Sequence, residues 1–187
     1  IFAFTAAPVT VFLSGIIGSQ FSPVKSLATL PMALSIVGIA IFAIFAAKVM
    51  SIIGRRAGFI FASIISSLSS LLAAYSIIIE SFILFNFACF LLGAGVAFSH
   101  QYRFAAVETV KKDMAPKAIS IILLAGIGSA FIGPNVANIT KDIIAEHLYA
   151  GSYVALAALT LTSIIFLLFY KDGHKPNHIN KKTSRSY

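Results

Sequence analysis

The sequence contains few charged residues. Only 11% of its residues are Asp, Glu, Lys or Arg and 59% are hydrophobic, whereas soluble proteins have about 25% charged residues. Its single cysteine, Cys89, excludes an intramolecular disulfide bond and a cysteine metal site. None of its four histidines shares a metal-ligand spacing with another on a helix. This composition excludes a soluble domain and predicts a membrane-embedded protein without a metal or another cofactor.

Acidic residues are scarce, and their positions argue against an enzyme. Acid–base or metal chemistry in a bilayer needs clustered carboxylates or histidines. All six acidic residues lie in predicted loops or at predicted helix ends: Glu80, Glu108, Asp113, Asp142, Glu146 and Asp172. The net charge of +8 does not indicate a nucleic-acid partner, because the basic residues cluster in loops and a tail. Such clusters favour anionic lipid instead.

Six apolar runs of about 20 residues, the length that crosses a bilayer as an α-helix, separate these polar segments. They predict an all-α polytopic membrane protein with a six-transmembrane-helix bundle at 1–170 and a polar, basic tail at 171–187. The predicted spans are 1–18, 27–46, 57–79, 82–107, 118–139 and 149–170. Because the chain begins inside an apolar run and without Met, we expect its natural N-terminus to be missing.

Basic residues lie mostly at one end of the predicted spans. The loops at the other end contain only Lys25 and Lys141. Since cytoplasmic loops carry an excess of Lys and Arg, we predict that the richer end and both termini are cytoplasmic, in a bacterial inner membrane. The residues at the richer end are Lys48, Arg55, Arg56, Lys111, Lys112, Lys117, Lys171, Lys175, Lys181, Lys182 and Arg185.

The second and third spans are joined by segment 47–56, which we interpret as a short basic hinge. Gly54 can adopt the positive φ that ends a helix. Arg55 and Arg56 can anchor the next helix at the lipid headgroups. The hinge is too short for anything but a tight helical hairpin.

This hinge resembles the cytoplasmic loop motif of the major facilitator superfamily, roughly Gly-x-x-x-Asp-Arg-x-Gly-Arg-Arg. The final Gly-Arg-Arg matches, while Ala47, Ser51 and Ile52 replace the first Gly, the Asp and the first Arg. The alternative is an ordinary basic loop that obeys the positive-inside rule. The resemblance implies the N-terminal half of a twelve-helix secondary transporter, whose partners are the lipid bilayer, a small-molecule substrate and a second six-helix bundle.

Transport by such a protein proceeds by alternating access, and the resemblance leaves proton coupling open. A non-transporting membrane subunit or a degenerate half-transporter is the alternative function. Since no charged residue lies at the middle of a predicted span, we expect a neutral or amphipathic organic substrate.

The fourth span has an unusually polar end. Cys89, Gly93, Val96, His100 and Arg103 recur at helical spacing and would share one face of a continuous helix. We therefore predict that Cys89, His100 and Arg103 line the substrate cavity. Alternatively, Arg103 extends to the cytoplasmic headgroups.

The family often has Arg-x-x-x-Gly-x-Gly in this span, with the Arg linked to proton coupling. Gly93 and Gly95 match this pattern, but Cys89 takes the place of the Arg. The resemblance therefore implies that the usual coupling residue is missing. Arg103 as its substitute is a hypothesis.

Glu108 follows at the cytoplasmic end of the same span. The resemblance implies that it pairs with Arg55 or Arg56 across the hinge and that this pair forms and breaks during transport. A local helix pair with Lys111 or Lys112 is the alternative, worth about 0.2–0.5 kcal/mol.

Small residues at steps of four predict helix packing in the fifth span. They are Gly126 with Ala130, and Ser129, Gly133 and Ala137. Gly133 and Pro134 also resemble the Gly-Pro of the family's fifth-helix motif. Asn135 and Asn138 point away from the Ser129 face and are cavity candidates.

Hydroxyl residues of the first span are further cavity candidates, although such groups often bond to their own backbone. The main candidates are Thr10 and Ser14. Thr5, Ser19 and Gln20 are secondary ones.

Overall fold

The computed structural model describes residues 2–169, which are helical with no strand among them. The short 3₁₀ helix Phe2–Phe4 precedes the first α-helix. The α-helices are α1 (Ala6–Phe21), α2 (Leu30–Ile53), α3 (Arg55–Ile78), α4 (Phe82–Ser99), α5 (Tyr102–Thr109), α6 (Ala115–Thr140) and α7 (Ala150–Leu168). Six segments of this part of the chain are long and apolar enough to cross a membrane. The prediction of an all-α membrane protein with six spans is confirmed, while the predicted tail 171–187 lies outside the described residues.

The hinge between α2 and α3 is a single residue. Gly54 has a φ of 88°, which an L side chain rarely adopts, and its N–H donates to the carbonyl oxygen of Met50. Segment 47–53, expected to belong to the hinge, continues α2 instead. Its apolar residues continue the helix, and its polar residues Lys48 and Ser51 are exposed.

The fourth span is interrupted, because α4 ends at Ser99 and α5 begins at Tyr102. At this break the N–H of Gln101 donates to the i−3 carbonyl of Phe98, so the helical ladder is locally 3₁₀-like. The expectation of one continuous polar face from Cys89 to Arg103 is therefore wrong. Cys89 is buried, whereas His100 and Arg103, beyond Ser99, are exposed.

Two glycines let α2 and α4 approach each other closely. A Cβ on Gly38 would collide with the carbonyl oxygen of Phe90, and a Cβ on Gly93 with that of Ser35. Small residues at such a crossing are the usual means by which membrane helices gain close contact, since lipid provides no hydrophobic drive between them. The span that contains α4 also has the largest buried share of the six.

Serine side chains fasten α3 to α7. The hydroxyl groups of Ser63 and Ser163 lie 2.8 Å apart, and Ser67 donates to the carbonyl oxygen of Ala157 at 3.2 Å. Six serines of α3 are buried: Ser63, Ser66, Ser67, Ser69, Ser70 and Ser76. Their hydroxyl groups face protein rather than lipid, as the cost of an unpaired polar group in lipid requires.

Candidate functional site

The hinge arginine Arg55 forms an ion pair with Glu108 of α5. Its Nη2 lies 2.6 Å from Oε1 and its Nε lies 3.0 Å from Oε2, so the contact is bidentate. Of the two pairings considered for Glu108, the structure contains the one across the hinge. The two side chains are 23% and 51% exposed, so this pair can exchange with water when the helix ends separate.

The neighbouring Arg56 bonds to a different helix. Its Nη2 donates to the carbonyl oxygen of Leu168 at 2.7 Å, which satisfies a carbonyl that the end of α7 leaves without an intrahelical partner. The guanidinium also places positive charge at the negative end of the α7 dipole. Sequence reasoning missed this contact, because nothing in the sequence tells which helix end lies beside the hinge.

Together these two arginines join three helix ends. Arg55 holds α5 and Arg56 holds α7, both from the first residues of α3. We call Arg55, Arg56, Glu108 and the Leu168 carbonyl the arginine clasp. It fixes the ends of the third, fourth and sixth spans to the α2–α3 hinge.

The cavity candidate of α4 lies inside the bundle. Cys89 is 0% exposed, and its thiol lies next to the hydroxyl of Tyr153 in α7. That hydroxyl forms no hydrogen bond of good geometry within residues 2–169. Cys89 therefore does not open to the space outside this bundle.

The candidates of α1 divide into a buried and an exposed group. Thr5, Thr10 and Ser14 are buried, and Thr10 Oγ1 has no hydrogen-bond partner in the described part of the chain. Ser19 and Gln20 are exposed near the end of α1. These last two are the candidates of the first span that lie at the surface of the described bundle.

Helix α6 buries three residues, namely Ser129, Gly133 and Ala137. A Cβ on Gly133 would lie 3.1 Å from a methyl group of Val9 in α1. The predicted small face is therefore the face that packs, with Pro134 half-buried beside it.

The other small pair of α6 does not pack within the described bundle. A Cβ on Gly126 would meet nothing within 4 Å, and Ala130 is exposed. The packing expected for Gly126 is therefore not found among residues 2–169.

Two amides of α6 are exposed on the opposite face from Ser129. Asn135 and Asn138 lie in the last two turns of this face. The Nδ2 of Asn135 donates to the carbonyl oxygen of Phe131 at 2.7 Å, which leaves its Oδ1 as a potential acceptor for another group. Residues 2–169 contain no group of three or more His, Cys, Asp or Glu side chains that could hold a metal ion.

Comparison with known proteins decides the family. The sequence profile of the Major Facilitator Superfamily matches residues 1–186. The chain belongs to this superfamily. The resemblance stated on the hinge residues is therefore confirmed, and the chain has the six spans of one half of a superfamily member.

Its relatives carry transporter names. The chain is 30% identical over 179 residues to the riboflavin transporter RfnT of Brucella anthropi, covering 94% of this chain and 45% of that protein. It is 28% identical over 172 residues to the uncharacterized MFS-type transporter YdeG of Bacillus subtilis, covering 89% of this chain and 40% of that protein. The chain thus spans about half the length of these relatives. No solved structure matches it.

As a superfamily member, the chain departs from the family pattern at informative places. The hinge keeps the final Gly-Arg-Arg of the motif. Ser51 stands in place of the motif's acidic residue, and its hydroxyl donates to the Lys48 carbonyl of the same helix. At the place of the family's arginine, Cys89 lies in the apolar core beside Phe85 and Leu92.

Proposed function

We propose that the chain is the N-terminal six-helix bundle of a secondary transporter that moves a small organic solute by alternating access across a bacterial inner membrane. The superfamily match over residues 1–186 carries this proposal. The arginine clasp supports it, because an exposed ion pair and a helix cap at the same bundle end can break together when the bundle rocks. Both termini are cytoplasmic in this proposal, since the clasp end carries most of the basic residues.

A second six-helix bundle is part of the proposal. Asn135 and Asn138 are exposed on a helix of membrane-spanning length, and amides at membrane depth face protein or a water-filled cavity. We therefore place the second bundle and the substrate path at the Asn135 face of α6. The relatives, about twice as long as this chain, have room for such a bundle.

Riboflavin is the first substrate to test. The relative named for riboflavin transport matches 94% of this chain. Riboflavin joins a planar ring system to a hydroxylated chain, so it agrees with the expectation of a neutral, amphipathic solute. The side-chain amides of Asn135, Asn138 and Gln20 could form hydrogen bonds with the hydroxylated chain.

Coupling to protons is proposed only through Arg103. Cys89 is buried and apolar in its surroundings, so it offers no charge to a proton pathway. Arg103 is exposed beyond the break in the fourth span. Its guanidinium could donate hydrogen bonds to a substrate oxygen or a carboxylate at the clasp end of the path.

Flux measurements on the full-length protein in liposomes test this proposal. We expect uptake of tritiated riboflavin that excess unlabelled riboflavin inhibits. If a proton gradient accelerates uptake, Arg103→Ala should abolish that acceleration and Arg103→Lys should retain part of it. An acceleration that survives Arg103→Ala would contradict the role of Arg103 alone. Absence of flux for riboflavin and a panel of organic solutes would favour the non-transporting subunit.

A further inference from the structure

At the clasp end of the bundle lies a pocket of about 360 Å³, at the small end of the volumes typical of ligand sites. Four elements form its walls: the 3₁₀ helix Phe2–Phe4, α5, α6 and α7. Its rings come from three of these elements and are those of Phe2, Phe4, Tyr102 and Phe166. We call this space the aromatic pocket.

The rings of the aromatic pocket are ordered by mutual contacts. Phe2 stacks with Phe166 at a centroid distance of 5.8 Å and an interplanar angle of 18°. Tyr102 stacks on Phe59 of α3 at 3.9 Å and 9°, and its centroid lies 5.5 Å from that of Phe4. These contacts fix ring orientations before any ligand enters, which lowers the entropic cost of binding.

Two features of the chain create the space between these rings. The break after Ser99 places Tyr102 at the first position of a new helix, against Phe59. On α6, the small side chain of Ala125 leaves room where a larger residue would fill the pocket. Ser163 contributes a hydroxyl group to the otherwise apolar wall, and that group is already held by Ser63 and the Thr160 carbonyl.

We propose that the aromatic pocket binds the planar ring system of a heteroaromatic solute at the clasp end of the transport path. Flat rings pack favourably against aromatic rings in offset-stacked or edge-to-face arrangements, and four aromatic rings line the pocket around a volume suited to a small ring system. The proposal rests on the transport function proposed above and adds a site that lies within one bundle rather than between two. It also predicts a preference for the ring over the hydroxylated chain.

Fluorescence quenching tests this site directly, since flavin emission falls when the ring stacks on aromatic side chains. The full-length protein in nanodiscs is titrated with riboflavin and with lumiflavin, which has the same ring system with a methyl group in place of the hydroxylated chain. We expect both to bind with similar Kd. Phe166→Ala should raise each Kd by about 2- to 10-fold, and Ala125→Phe, which fills the pocket, should abolish quenching.

Matched variants separate binding from folding. Phe169→Ala removes an equally large ring from the next turn, where it is 82% exposed and outside the pocket, and should leave each Kd unchanged. Ala125→Ser changes the same position as Ala125→Phe without filling the space. Thermal unfolding of every variant is recorded. If Phe166→Ala does not fold, Ala125→Phe decides, because it fills the pocket without removing an aromatic ring.

The outcomes distinguish this site from transport. Riboflavin flux together with a Kd that neither Phe166→Ala nor Ala125→Phe alters would overturn the aromatic pocket and leave the transporter proposal intact. Lumiflavin binding that depends on Phe166, without riboflavin flux, would support the pocket and contradict riboflavin as the cargo. Absence of quenching by either compound with folded protein would overturn the pocket.

Discussion

Single glycines of this bundle differ sharply in what surrounds them. Gly93 faces the backbone of α2, with the Ser35 carbonyl in the position that a Cβ would occupy, whereas Gly126 faces open space. Both are helical residues, so their intrinsic helix propensity is the same. If each is replaced by Ala, the difference between the two changes in the free energy of unfolding therefore measures the close contact of α2 with α4.

Replacing Gly93 by Ala should lower the free energy of unfolding by about 1–3 kcal/mol, because the backbones of α2 and α4 must move apart. Gly126→Ala is the matched control and should leave stability unchanged or raise it by up to about 1 kcal/mol, since Ala is the better helix former. Thermal and denaturant unfolding of the full-length protein in detergent measures both. Equal effects of the two substitutions would contradict the close crossing.

The Arg55–Glu108 pair is exposed, so it should matter more for motion than for stability. Glu108→Gln should lower the free energy of unfolding by only about 0.2–1 kcal/mol. Because the pair closes the clasp, its loss should change the rate of flux more than the affinity for substrate. Lys111→Gln serves as the control for a nearby charge, and Glu108→Arg with Arg55→Glu should restore the flux. A large stability loss in Glu108→Gln would show that the pair has a structural role instead.

At the scale of whole elements, the clasp connects helix ends that the loops do not. Helix α7 ends at Leu168, and the side chain that satisfies its terminal carbonyl comes from the start of α3. The preceding residue of α3, Arg55, pairs with Glu108 of α5. Movement of the third span therefore transmits to the fourth and sixth spans through side chains.

Removing this helix cap should loosen the last turn of α7. We expect Arg56→Ala to destabilise that turn by about 0.3–1 kcal/mol, the worth of a cation at a helix C-terminus, so amide exchange there should be about 2- to 5-fold faster. Hydrogen–deuterium exchange over residues 163–169 measures the change. Lys48→Ala is the control: it removes an exposed cation near the end of α2 that adjoins the hinge. It should leave the exchange rates of α7 unchanged. Equal exchange rates in Arg56→Ala and the parent protein would contradict the cap.

For the whole molecule, the exposed faces indicate where the bundle meets its surroundings. Helix α4 is largely buried, while α6 exposes most of its length, including both of its asparagines. A bundle that serves as half of a transporter needs one such face against its second half. The exposed amides distinguish the proposed face of α6 from purely apolar faces such as that of Ile44 in α2.

Cysteine labelling tests this assignment in the full-length protein. With other cysteines removed, Asn138→Cys should react with a hydrophilic maleimide, and bound substrate should slow the reaction. Ile44 is also exposed in the bundle, but Ile44→Cys should be covered by lipid and stay unlabelled. Cys89, which is 0% exposed, should also stay unlabelled. Labelling of Cys89, or of Asn138→Cys at a rate that substrate does not change, would contradict the assignment.

The sequence predicted the six spans because bilayer thickness dictates their length and because charged residues separate each apolar run from the next. It also predicted the helix end at Gly54, where positive φ favours glycine. It did not predict that α2 extends to Ile53, since Lys48 ends the apolar run but not the helix. No Gly or Pro marks the break after Ser99. Helical periodicity alone therefore predicted one continuous helix, with Cys89 and Arg103 on the same face.

Within the candidate site, local patterns were informative and tertiary contacts were not. The step of four predicted the packing of Gly133, but the same step was misleading for Gly126, because spacing does not say which small face meets a neighbour. The partner of Glu108 was among two alternatives. The contact of Arg56 with Leu168 and the convergence of Tyr102 with Phe166 depend on helix arrangement, which no local pattern encodes.

The serines of α3 also constrain how the protein is made. Ser63 and Ser163 are 100 residues apart in the chain, which at about 5–20 residues per second corresponds to about 5–20 s of translation. During that interval α3 has left the ribosome while its partner α7 has not been synthesised. Several of its hydroxyl groups also bond within α3, as Ser63 does to Phe59 and Ser70 to Ser66. A newly inserted α3 can therefore wait in lipid with those groups satisfied, and the arrival of the last span adds the bond between helices.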